Sequence, residues 1–131
     1  MSFLLDTDTL SIHLRRAQVL TSRFIQHGGQ LHLSTLSLGE LYAWAYKCDT
    51  VKRLGIVDDV LPQLRMVVFD EECAEEFGKL RGTLLRQGIS VPTVDLMIAA
   101  TARVHGLTLV THNTVDFVRV PDLKLEDWLA E

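Results

Sequence analysis

Cysteine, proline and long apolar runs are all scarce in this sequence, and each shortage closes off a class of protein. The two cysteines, Cys48 and Cys73, stand far apart with no second ligand at metal spacing, so neither a disulfide framework nor a cysteine-built zinc module is expected. Both read as reduced, small apolar residues on helices. Three prolines and eight glycines are too few for a fibrous or disordered chain. Apolar runs such as 66–69 and 96–100 fall far short of the roughly 20 residues of a membrane-spanning helix. The start, Met1-Ser2-Phe3-Leu4-Leu5-Asp6, has no basic stretch and meets an acid after three apolar residues. It is unlike a signal peptide, and a cytoplasmic protein is expected. The five histidines form no i, i+4 pair and have no adjacent cysteine, so no zinc site is expected either.

Basic charge is the last shortage: 13 Lys and Arg against 17 Asp and Glu give a net charge of −4. Nucleic-acid binders usually carry the opposite balance. Four acids gathered around divalent cations would account for the whole deficit, however, and the bound cation reverses the local sign. What the sequence does have is 47% hydrophobic and 23% charged residues over 131 positions. That is the size and composition of one globular domain, 1–131, with a core of its own.

The order of elements sets the fold class. Phe3 to Leu5 reads as a buried strand ending at Asp6. Thr9 to His27 holds one or two helices stopped by Gly28-Gly29. Leu31 to Leu33 is a second strand, followed by a helix that starts near Ser37 with Leu38, Leu41, Tyr42 and Ala45 as its apolar stripe. Another helix covers Thr50 to Leu61. Met66 to Phe69 is a third strand, and Asp70-Glu71-Glu72 makes a favourable start for the helix of Cys73, Phe77, Leu80 and Leu84. Asp95 opens a helix that runs to His105 and stops at Gly106. Leu107 to Val110 is a fourth strand, Leu123 to Leu125 a short edge strand, and Trp128-Leu129 a terminal plug. Strands alternating with helices predict an α/β fold, a three-layer α/β/α domain around a parallel sheet of four to five strands.

In such sheets ligands bind beyond the carboxyl ends of the strands. Asp6 follows strand one directly, Asp116 lies shortly after strand four, and Glu40 sits near the start of the helix leaving strand two. Asp95 joins them by length: eleven helical residues rise about 16 Å, and four strand residues span about 13 Å. The helix of Asp95 is antiparallel to strand four, so Asp95 comes level with that strand's end. Four converging carboxylates repel one another and need a compensating cation. All-oxygen ligands suit Mg²⁺ or Mn²⁺, which support phosphodiester hydrolysis. Each acid also has a purely structural reading. Asp6 and Asp8 could cap a helix, Ser37-x-x-Glu40 is a capping-box pattern, and Asp95 and Asp116 could be first-turn acids.

Several segments carry a resemblance: Leu4-Leu5-Asp6-Thr7-Asp8-Thr9-Leu10-Ser11, Ser37-Leu38-Gly39-Glu40-Leu41-Tyr42, Val94-Asp95-Leu96-Met97-Ile98-Ala99-Ala100, and Thr111-His112-Asn113-Thr114-Val115-Asp116-Phe117. Together with the closing Val120-Pro121-Asp122-Leu123 and Glu126-Asp127-Trp128, the chain resembles the PIN-domain ribonucleases of the VapC type. The resemblance implies a Mg²⁺-dependent endoribonuclease, the toxin of a toxin–antitoxin pair. It puts Asp6, Glu40, Asp95 and Asp116 at the family's metal-binding positions, with Asp8, Thr111 and Asn113 in support. It further implies a homodimer, a VapB-type antitoxin that blocks the site, and operator DNA bound only through that antitoxin. The stretch Ser90-Val91-Pro92-Thr93-Val94 before Asp95 departs from the family's usual Gly and small residue. His112 is given no role and reads as an exposed loop histidine. Arg15, Arg16, Lys52, Arg53, Arg81 and Arg86 are candidate phosphate contacts, each with a solvated-surface alternative.

Two rival readings stand beside this one. Leu4 to Thr9 also resembles the first-strand motif of haloacid-dehalogenase-type phosphatases, with Asp6 as nucleophile and Asp8 as acid, although Thr111 to Asp116 lacks the later Gly-Asp pair of that family. The other is a catalytically silent acidic binding module. A receiver-like version would want a lysine facing the acids after the last strand, and Lys124 fits that place poorly.

Overall fold

The computed structural model describes residues 1–16 and 18–130. Its strands are β1 (Phe3–Leu5), β2 (Leu31–Ser34), β3 (Arg65–Val67), β4 (Thr108–Val110) and β5 (Leu125–Glu126). All pair in parallel, in the order β3-β2-β1-β4-β5. The helices are α1 (Thr7–Arg15), α2 (Thr21–Gln26), α3 (Thr35–Lys47), α4 (Thr50–Val60), α5 (Glu71–Arg86), α6 (Thr93–His105) and the single turn α7 (Thr114–Phe117).

Strand alternation divides the apolar residues between two cores. Phe3, Leu5 and Val110 point to one face, where they meet Leu10, Phe24, Leu41, Val57 and Trp128 from α1 to α4 and the closing segment. Leu4 and Leu109 point to the other, against Leu80 and Leu84 of α5, Leu96 and Ala99 of α6, and Phe117 of α7. This is the expected three-layer arrangement, produced by the two-residue period of the pleat. Leu4 and Leu5 are wholly buried, so truncating either to Ala costs about 2–5 kcal/mol. The chain first winds outward from β1 through β2 to β3, then crosses back to β4 on the opposite face. Strand order therefore reverses between β1 and β4, which opens a crevice at their carboxyl ends.

The elements differ from the sequence expectation in three places that matter. The third strand is Arg65–Val67, not 66–69. It is an edge strand whose first two residues are exposed, and Val68 is 61% exposed, so the run Met66 to Phe69 is not a buried strand. The fifth strand falls at Leu125–Glu126, two residues later than Leu123 to Leu125. Helix α3 begins at Thr35, with Ser34 as its cap: the Ser34 hydroxyl accepts from the Leu36 amide at 3.1 Å. Ser37 lies inside the helix. Cys48 is also not a helical core residue, since it is the exposed residue that ends α3. Trp128 does plug the sheet, edge-on to Phe3 with ring centroids 5.1 Å apart. No helix among the described residues is long and apolar enough to cross a membrane.

Candidate functional site

Asp6 ends β1 and caps α1, so one residue links the central strand to the crevice. Its Oδ1 accepts from the Thr9 amide at 2.8 Å, and its Oδ2 accepts from the Thr111 hydroxyl at 2.5 Å. The capping reading of Asp6 is correct, yet it leaves unused lone pairs on both oxygens. The side chain is 3% exposed. Burial pushes its carboxyl above the ordinary value, the Thr111 and Thr9 hydrogen bonds pull it back, and the charge of Asp8 adds to the rise. Asp8 sits exposed in the first turn of α1.

Thr111 stands one residue beyond β4 and is fully buried. Its oxygen accepts from the Asn113 amide at 3.0 Å while its proton goes to Asp6. Asn113 in turn donates its side-chain amide to Asp116 Oδ2 at 3.1 Å. The two polar residues named from the sequence thus tie Asp6 to Asp116.

Glu40 lies in the second turn of α3, because the helix starts at Thr35. A capping box would need it at the third helical position, and Ser37 occupies that position, so the capping explanation for Glu40 fails. Glu40 Oε1 instead accepts from the Thr7 hydroxyl at 2.6 Å, and Thr7 lies 2.8 Å from the Ser37 hydroxyl. A carboxylate only accepts and a hydroxyl has one proton. The order is therefore Ser37 donating to Thr7 and Thr7 donating to Glu40. Thr7 and Ser37 are the residues that sequence reasoning missed in this role. The available signal was a hydroxyl beside Asp6, but its partner lies 33 residues away.

Asp95 is the third residue of α6 and partly buried. Its carboxyl is pushed up to about 6, first by desolvation and then by the charges of Asp6, Asp8, Asp116 and Glu40. Each of the other acids acts on Asp95, so the structure brings all four predicted carboxylates, with Asp8, into one electrostatic field. Among the described residues, no three of these acids have oxygens within 4.8 Å of one another.

Several of the remaining candidates have partners of their own. His112 is exposed and pairs through Nδ1 with Asp127 at 3.0 Å. Arg53 donates to the Trp44 carbonyl at 2.8 Å and covers its ring, and Arg81 straps the α5–α6 connection by donating to the Val91 carbonyl at 2.8 Å. Arg15 and Arg86 bond locally to Ser11 and Thr83.

The sequence model of the PIN domain matches residues 3–123. This chain belongs to the PIN-domain family. Within it, the relatives are of the VapC type. The chain is 33% identical to Ribonuclease VapC2 of Haemophilus influenzae, over 98% of this chain and 99% of that protein. It is 32% identical to the tRNA(fMet)-specific endonuclease VapC of Salmonella typhimurium, over 98% of each. Among solved structures, a chain of the DNA-bound VapBC complex from Salmonella typhimurium superposes with a TM-score of 0.94 at 31% identity, covering 98% of both chains. The DNA-bound VapBC2 complex of Rickettsia felis gives 0.88 at 26% identity, over 98% of this chain and 99% of that one. The PIN fold is that of a nuclease family, and the haloacid-dehalogenase reading is not favoured.

Proposed function

We propose that this single PIN domain is a Mg²⁺-dependent endoribonuclease, the toxin of a toxin–antitoxin pair. The observation that carries the reading is the gathering of Asp6, Asp8, Glu40 and Asp116 around Asp95 at the crevice of a PIN fold, close enough that each acts on the Asp95 carboxyl. Hard oxygen donors suit Mg²⁺, with Mn²⁺ as a substitute, and Asp6, Glu40, Asp95 and Asp116 are the residues that would hold it. When bound, such ions supply an activated water and neutralise charge on the phosphate.

The protein's own part is positioning. Thr111 and the Thr9 amide fix both oxygens of Asp6. Ser37 and Thr7 aim Glu40, and Asn113 holds Asp116. Asp95 enters on the first turn of α6 and is the acid whose charge costs most without a cation. The crevice between β1 and β4 receives the scissile phosphate, with the rest of the RNA on the surrounding surface.

The partners follow from the similar structures, the VapBC complexes of Salmonella typhimurium and Rickettsia felis, both bound to DNA. By this reading the chain forms a homodimer, acts in the cytoplasm, and is blocked by a VapB-type antitoxin that alone carries the pair to operator DNA. Initiator tRNA is the first substrate to assay, because the name of one relative specifies tRNA(fMet). The test is RNA cleavage by wild type, Asp6→Asn and Asp95→Asn with and without Mg²⁺, with sequencing of the RNA ends after brief induction in cells. Wild type cuts only with metal and both variants are silent. Full metal-dependent activity in either variant rejects the site, and no cleavage together with weak or absent Mg²⁺ binding by calorimetry returns the silent-module reading.

A further inference from the structure

At the amino edge of the sheet, opposite the four acids, the paired helices α5 and α6 bring together three side chains of another kind. α6 ends at His105 and turns through Gly106 into β4, while antiparallel α5 begins beside that end at Asp70. Asp70, Cys73 and His105 each offer a ligand atom, and all three atoms lie within 4.8 Å of one another. We infer that Asp70, Cys73 and His105 form a second metal site, for a borderline-soft divalent cation such as Zn²⁺.

The geometry is close to what such an ion needs. Tetrahedral zinc with ordinary Zn–S and Zn–N bonds puts sulfur and nitrogen about 3.6 Å apart, and Cys73 Sγ lies 4.0 Å from His105 Nε2. Asp70 is fixed beside the thiol by its own capping bond, with Oδ1 accepting from the Cys73 amide at 3.0 Å. Cys73 is buried, whereas Asp70 and His105 are exposed, so the His105 ring can turn onto an ion held against the anchored sulfur and the free Asp70 oxygen. A cleft lined by His105, His32 and Gly106 opens on the His105 side of the cluster. Charge also favours a cation here. The carbonyl end of α6 is a negative pole, and the acids Asp70, Glu71 and Glu72 offset the positive pole of α5. Thiolate, imidazole and carboxylate together select zinc-like ions over Mg²⁺. Three protein ligands leave a fourth position for water, and binding releases the thiol proton to solvent. Sequence spacing could not show this site, because 32 residues separate Cys73 from His105.

Co²⁺ is the probe, titrated into the full chain carrying Asp95→Asn so that the acidic crevice is disabled. The expected result is one Co²⁺ with a thiolate-to-cobalt charge-transfer band, retained in Cys48→Ser and lost in Cys73→Ser and in His105→Gln. Asp70→Asn keeps the helix cap, since Asn caps as well as Asp, but lowers the Co²⁺ affinity. Because His105 is exposed, His105→Gln keeps the test decisive if Cys73→Ser fails to fold. A spectrum without the thiolate band, a band that disappears with Cys48, or a band that survives His105→Gln overturns the site.

Discussion

The hydroxyl of Thr111 donates to Asp6 at 2.5 Å across 105 residues of sequence. It joins the end of β1 to the end of β4 at the point where strand order reverses, with both partners buried. Thr111→Val removes the donor and leaves the buried Asp6 oxygen short of a partner, at a cost of about 1–3 kcal/mol. Thr111→Ser restores the bond. Urea unfolding of the three proteins checks this, and equal stability of Val and wild type would reject the importance given to the contact.

Asp95 yields a prediction with opposite signs for stability and activity. Its folded pKa, about 6, lies above the ordinary 3.8. Its charged form therefore opposes folding: the stability held by the protonated carboxyl is full below 3.8 and is lost as pH rises through about 6. In chelator at neutral pH, Asp95→Asn is more stable than wild type, on the order of 1–2 kcal/mol once solvent screening of a partly exposed side chain is allowed for. The difference shrinks toward about pH 4. Saturating Mg²⁺ stabilises wild type more than the variant, which has lost its nuclease activity. Thermal melts across pH, with and without metal, read all of these effects.

The two serines at the start of α3 separate capping from site support. Ser34→Ala loses the cap and costs about 1 kcal/mol with no change in metal affinity. Thr7→Val and Ser37→Ala leave the cap in place but release Glu40, and Mg²⁺ affinity falls about 10- to 100-fold, as for other residues that orient metal ligands. Calorimetric Mg²⁺ titration beside thermal melts distinguishes the two outcomes. A metal-binding loss in Ser34→Ala equal to that in Ser37→Ala would contradict the assignment.

The parts legible in the sequence were those fixed by neighbouring residues. Strand β1 with its terminal acid, α5 with its Asp70 cap, and α6 with its Gly106 stop all rest on local signals, and Gly106 has the positive φ of 63° that such a stop requires. The start of α3 was not legible, because Ser34 and Ser37 are equally good caps. Pairing of Ser34 with Val67 at the end of β2 decides between them. The third strand was misplaced because an apolar run does not reveal that its strand lies at a sheet edge. At the candidate site, the four acids that act on one another and the Thr111 and Asn113 side chains that bond two of them are named from sequence, whereas the Ser37–Thr7–Glu40 relay is not. Hydrogen bonds between segments are set by packing and leave no periodic trace.

The placement of β1 between β2 and β4 has a consequence for the chain while it is being made. Asp6 leaves the ribosome early, but it lacks its neighbouring strand and the Thr111 proton until β4 has been synthesised and docked, and Asp116 comes later still. A nascent chain therefore carries no assembled crevice while most of its residues are already free of the ribosome. The Asp6–Thr111 and Asn113–Asp116 bonds form only once the last third of the chain has joined the first strand.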